Sequence, residues 1–147
     1  MFFVTNTEAT ITLSNVTFTY GSGIFIDIEG TSQWGTSGSN GGDVTMTVTG
    51  QTIVGDIVVD DYSSLTLNLK SSSSFKGKFN SAKSSGTINI VIDSSSKITL
   101  TGDSYITSLE NGDSSGSNID KGGYSLKTSH CGFLKVGLFT FLVLLFM

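Results

Sequence analysis

The pattern that most constrains this chain is a pair of apolar ladders recurring at almost one spacing. Val44, Met46 and Val48 return as Leu65, Leu67 and Leu69, and again as Ile88, Ile90 and Ile92. Out of phase with them, Ile53, Gly55 and Ile57 return as Phe75, Gly77 and Phe79, then as Ile98 and Leu100. The steps are 21 and 23 residues for the first ladder and 22 and 23 for the second. Alternation with a period of two belongs to strands, whose successive side chains point to opposite faces. Recurrence at this longer spacing belongs to a solenoid, in which one coil cannot bury its apolar residues until a neighbour stacks on it. Ile24, Ile26 and Ile28 lie 20 residues before the first ladder and read as a fourth rung of it. A sandwich would need turns about every 8–12 residues and gives no reason for ladders in register at a distance of two strands. The expected fold is therefore all-β: a right-handed parallel β-helix of few coils, ending in an apolar C-terminal tail.

Composition agrees and removes several function classes. Proline is absent and glycine numbers 18 in 147 residues, while Ser, Thr, Asn and Asp fill the gaps between apolar runs, as tight turns and half-buried strands require. No stretch carries a 3.6-residue apolar period. With a formal charge of -4, the chain has no basic stripe to neutralise phosphates, so nucleic acid is not an expected partner. The single Cys131 excludes an internal disulfide, and His130 beside it has no further ligand for zinc, so no metal and no cofactor are expected.

Along the chain, Thr10 to Leu13 and then Val16 with Phe18 read as two short strands joined by a turn at Ser14-Asn15. Gly30 to Asp43, containing Trp34, reads as a loop. Tyr105 to Leu109 and Gly123 to Leu126 read as the closing elements. Residues 1–127 are assigned to the coils, 128–132 to a linker and 133–147 to a hydrophobic tail. That tail is shorter than the ~20 residues of a spanning helix. Its form, behind a polar spacer with small residues, is that of a glycolipid-anchor signal, with Gly123 or Ser129 as attachment points. An anchor requires export and no signal peptide precedes the coils, so the expectation is the C-terminal part of a longer exported solenoid, with upstream coils as its neighbours.

Three segments carry a family resemblance: Phe3-Val4-Thr5-Asn6-Thr7, Ile11 to Thr17, and Trp34-Gly35-Thr36-Ser37-Gly38-Ser39-Asn40-Gly41-Gly42. Gly50 to Asp60 and Thr101 to Thr107 extend it. Residues 1 to 127 resemble the C-terminal coils of large secreted right-handed β-helix proteins, pectin-lyase-like in fold and adhesin-like in usual description. The resemblance implies surface display and contact with carbohydrate.

The candidate chemistry is sparse. A β-helix lyase or hydrolase needs clustered carboxylates with bases, or a separated acid pair. Asp60-Asp61 is the only adjacent acidic pair, at a turn position that Asp commonly occupies, and the chain has no arginine. The expectation is no enzyme. A calcium site from Asn40, Asp43 and Asp56 would be one copy of what calcium-binding β-rolls repeat. Trp34, with Tyr20 and Tyr62 at turns, could stack on sugar rings, although an indole more often covers an apolar edge. Asn15-Val16-Thr17 matches the N-glycosylation acceptor. The expected function is a non-catalytic cell-surface adhesin-like module contacting a polysaccharide or host-surface glycan and associated with the membrane through residues 133–147. The alternatives are the remnant of a polysaccharide lyase or hydrolase whose catalytic coils are missing, and, more remotely, an ice-binding face built on Thr45 and Thr47. The matching positions Thr66 and Asn68, then Asn89 and Val91, break that threonine array.

Overall fold

Short strands rich in β-branched residues and bounded by Gly, Asn, Asp and Ser turns leave each coil with apolar side chains on one side only, and stacking is what buries them. The computed structural model describes residues 1–19, 23–80 and 86–129. It is a parallel β-solenoid of about five turns, with no helix among the described residues. The strands run β1 Phe2–Val4, β2 Thr7–Ser14, β3 Ile24–Ile28, β4 Gly42–Thr49, β5 Thr52–Val54, β6 Asp56–Val59 and β7 Ser64–Lys70. They continue with β8 Ser74–Gly77, β9 Thr87–Ile92, β10 Lys97–Leu100, β11 Ser104–Ile106, β12 Ser108–Asn111, β13 Ile119–Asp120 and β14 Leu126–Thr128.

Every turn of chain visits up to three faces. The broad face is the five-stranded sheet β2-β4-β7-β9-β12, and the second face is β5-β8-β10-β13. The third begins as β1-β3-β6, passes through a bridge from Ile57 to Phe79 and a hydrogen bond from Tyr105 N to Phe79 O (2.8 Å), and ends as β11-β14. All strand pairs are parallel, and the inner strands bond both to the coil before and to the coil after.

The predicted ladders are the core. Val44↔Leu65↔Ile88, Met46↔Leu67↔Ile90 and Val48↔Leu69↔Ile92 stack in register on the broad face, and all are buried. The second ladder resolves into two columns, because its two halves lie on different faces. Ile53↔Phe75↔Ile98↔Ile119 belongs to the second face, whereas Ile26↔Ile57↔Phe79 belongs to the third.

Two expectations are corrected here. Ile24, Ile26 and Ile28 are not a rung of the broad-face ladder; they form β3 on the third face, against Ile57 and Val59. The rung below Val44, Met46 and Val48 is Ala9, Ile11 and Leu13, 35 residues earlier. The chain between β3 and β4, residues 29–41, lengthens that coil, so β3 fell by coincidence at the interval of a full coil. The second correction concerns the start. β2 is one continuous strand to Ser14, where Asn15 turns into the left-handed region (φ 55°), and Val16 to Thr19 form no strand.

The corner between the second and third faces rests on two glycines. Gly55 takes a φ of 127°, which an L side chain disfavours, and Gly77 sits on it one coil later. A Cβ on Gly77 would collide with the Gly55 carbonyl oxygen and come within 2.8 Å of Phe75 Cζ. That absence of a side chain lets Phe75 and Phe79 stack on either side of the corner, ring centroids 4.5 Å apart. Overpacking of this kind costs about 1–3 kcal/mol, so Gly77→Ala is expected to lower the denaturant midpoint. Leu67→Ala, at a fully buried position on the broad face, is expected to cost about 2–5 kcal/mol by opening a cavity. Both are read by equilibrium urea unfolding.

Candidate functional site

The corner between the third and broad faces differs from coil to coil, and it carries two of the exposed aromatics among the described residues, the others being Phe3 on β1 and Tyr124 before β14. In the second coil the connection is residues 29–41, and in the third it is Asp60 to Ser63. Trp34 lies on the first of these and is 54% exposed; Tyr62 lies on the second and is 59% exposed. The indole is therefore not folded onto an apolar edge, the commoner fate of such a residue. The two connections touch: a Cβ on Gly38 would be 3.8 Å from the Tyr62 ring, and Gly41 is so close to the Tyr62 carbonyl that no side chain fits there.

Two polar residues hold this corner. Asn40 is only 2% exposed. Its Nδ2 donates to the carbonyls of Thr31 and, at 2.6 Å, Trp34, while its own carbonyl accepts from Asn6 N (2.9 Å) and Thr5 Oγ1 (3.4 Å) in the coil below. Asp60 does the same from the coil above. Its Oδ2 accepts from Gly30 N (2.8 Å), and its Oδ1 accepts from Tyr62 N (3.1 Å) and Ser63 Oγ (2.5 Å). Asp60 thus fixes a turn and ties down the Trp34 loop, the structural part expected of a turn aspartate. Neither Asn40 nor Asn6 stood out in the sequence as a loop staple, since Asn is a common loop residue. The one signal was an Asn-Gly-Gly run immediately before a strand.

Two further carboxylates, Asp27 and Glu29, lie close enough to Asp60 to feel its charge. Burial raises the pKa of Asp27, the Met1 ammonium opposes that rise, and Asp60 adds to it. Glu29 is raised as well, by burial first and then by Asp27 and Asp60. Such surroundings disfavour an anionic ligand.

The other sequence candidates are dispersed. Tyr20 lies outside the described residues, as do His130, Cys131 and the tail 133–147. Gly123 (φ 90°) and Ser129 are exposed; Ser129 N donates to Ile106 O at 3.0 Å. Asn40 and Asp43 sit at the Trp34 corner, whereas Asp56 starts β6 and pairs with Lys78 at 3.4 Å, so these three do not assemble a calcium site. Among the described residues no group of three or more His, Cys, Asp or Glu is placed to hold a metal, and no helix is long and apolar enough to cross a membrane. On the broad face Thr45 is followed by Thr66 and Asn89, and Thr47 by Asn68 and Val91. The array gains Thr10 and Thr12 of β2 below and still breaks above.

At the corner between the broad and second faces, aspartates close the turns. Asp93 Oδ1 accepts from Ser95 N (3.0 Å), Ser95 Oγ (2.9 Å) and Ser96 N (2.8 Å), and its Oδ2 accepts from Ser71 N one coil earlier (2.6 Å). Burial pushes its pKa up, but the hydrogen bonds from Ser71, Ser96 and Ser95 outweigh that and lower it to about 2. Asp113 is likewise lowered to about 2, by Ser115 and Ser117.

Comparison with protein-family models, with curated proteins and with solved structures finds no match to this chain. The site is accordingly read from its own geometry.

Two outcomes follow from these bonds. Asn40→Ala strands two loop carbonyls and is expected to cost about 1–3 kcal/mol and to speed proteolysis within residues 29–41, measured by urea unfolding and peptide mapping. The Asp93 bonds stabilise the fold fully above its unfolded pKa, near 3.8, and that contribution is lost as pH falls toward 2. Thermal unfolding of Asp93→Asn should therefore lose part of the stability drop that the parent chain shows between pH 4 and pH 2.

Proposed function

We propose that the chain is a non-catalytic, adhesin-like cell-surface module, a right-handed β-helix of the pectin-lyase-like kind that contacts a neutral polysaccharide through Trp34 and Tyr62. The observation that carries this reading is the placement of those two exposed rings on adjoining connections of one corner, held by Asn40 and Asp60 instead of by an apolar core. An indole and a phenol with open faces offer stacking surfaces to the apolar face of a sugar ring, and their fixed backbones reduce the ordering cost of binding. The negative charge of Asp27, Glu29 and Asp60 near this corner disfavours carboxylated sugars. Display at the surface completes the reading, with residues 133–147 either associating with the membrane themselves or leaving as the tail that a glycolipid replaces at Gly123 or Ser129.

The chemistry of the corner supports binding over turnover. Both Asp60 oxygens are occupied by turn hydrogen bonds, which leaves neither free to serve as an acid or a base.

The test is affinity electrophoresis and calorimetry against neutral glucans, mannans and xylans beside uronate polymers. Trp34→Ala is expected to weaken binding to a neutral polymer about tenfold or more, roughly 1.4 kcal/mol, and Tyr62→Ala to weaken it less. Thr66→Ala on the broad face should leave it unchanged. Absence of binding to every polymer, or release of new reducing ends, would overturn the reading.

A further inference from the structure

The acceptor pattern Asn15-Val16-Thr17 lies where the chain leaves β2 and turns from the broad face toward the second. Ser14 pairs with Thr49 and Thr49 with Lys70, so Asn15, Gly50 and Ser71 hold one corner position in three successive coils. All three take left-handed backbone, at φ 55°, 60° and 56°, and all three are exposed. The position therefore lies on the perimeter of the stack, and its exposure does not come from the end of the solenoid. Asn tolerates that conformation and glycine prefers it. The turn alone thus accounts for Asn15, but it does not call for a threonine two residues on.

The surroundings leave both side chains free. Asn40, Asn68, Asn80, Asn89, Asn111 and Asn118 all bond through their side chains to neighbouring groups. Asn15 and Thr17 are exposed, and neither side chain makes a hydrogen bond among the described residues. The segment is held instead by its backbone, with Val16 N donating to Gln51 Oε1 at 3.0 Å. An open groove of about 570 Å³ runs beside it, lined by Asn15 and Thr17 with Gly50, Gln51, Thr52 and Val54. Gly50 stands above Asn15 and has no side chain, so a bulky group on the Asn15 amide meets none at that position of the next coil.

We propose that Asn15 carries an N-linked glycan. In the transfer step Asn15 Nδ2 attacks the anomeric carbon of a lipid-diphosphate-linked oligosaccharide. The C–N bond forms as the bond from that carbon to the diphosphate oxygen breaks, and Nδ2 gives up one proton. Thr17 supplies the hydroxyl of the acceptor pattern. The proposal rests on the export contained in the proposed function and is independent of polysaccharide binding. Asn6, bonded beneath Asn40, precedes β2 and Asn15 follows it, and eight extended residues span about 26 Å. The attachment point therefore sits clear of Trp34 and Tyr62.

The test translates the full chain behind a cleavable export signal with eukaryotic microsomes and scores the protease-protected chains. These should show a single step of lower mobility that peptide-N-glycosidase removes, leaving aspartate at position 15 in the peptide released by cleavage at Glu8 and Glu29. Asn15→Gln and Thr17→Ala should each abolish the step, and Thr17→Ser should keep it. Thr17→Ala leaves Asn15 in place and changes an exposed side chain, so its effect reads the acceptor pattern and not the fold. Protected chains without the step, or a step that persists in Asn15→Gln, overturn the proposal. Polysaccharide binding through Trp34 is measured on the unglycosylated chain, so either reading can fail without the other.

Discussion

The parallel backbone ladder is the interaction on which everything else in this protein depends. Each inner strand, such as β4, β7 or β9, spends one edge on the coil before it and the other on the coil after it, so no coil satisfies its own N–H and C=O groups. The apolar columns follow the same rule. Leu67 is buried because Met46 lies below it and Ile90 above it. Stability is therefore a property of neighbouring pairs, and each coil is only as secure as the next one.

Such a ladder constrains the strands and leaves the corners free, within limits set by hydrogen bonding. Where the chain leaves a face, Asp60, Asp93 and Asp113 fold their carboxylates back onto their own turns. Asn40 and Asn118 bond to carbonyls of the chain around them. Most of these side chains also reach into a neighbouring coil, as Asp93 does to Ser71 and Asp60 to Gly30. A corner can thus lengthen into a functional loop while its base stays in register. That is how residues 29–41 carry an exposed indole without disturbing β3 or β4.

Much of this architecture was legible in the sequence because burial repeats at a fixed interval wherever the corners are short. Val44 to Ile92 could be read as three rungs directly. The reading failed where a corner was long: the insertion before β4 displaced the period, so β3 was assigned to the wrong face and β2 was missed as the rung beneath. A ladder seen only as alternation also cannot say which face it lines, and the column through Ile53 was for that reason merged with the column through Ile57. At the candidate site, Trp34 and Tyr62 were visible as unusual residues, but Asn40, Asn6 and the reach of Asp60 to Gly30 were not. Those depend on contacts between coils that no local pattern records.

The spacing of the ladder also has a kinetic consequence. No strand pairs with its neighbour in sequence across a tight hairpin; β4 meets β7 after 21 residues, and β2 meets β4 only after 35. Every pairing must close a loop before any bond forms, and the loss of chain entropy grows with the length closed. The pair β4 and β7 combines a short closure with a long strand contact, which makes it the natural nucleus. Growth from there adds one coil at a time, and the coil bearing the Trp34 loop, which has the longest closure, joins late. The corner that exposes Trp34 is in this sense the last part of the described solenoid to be built.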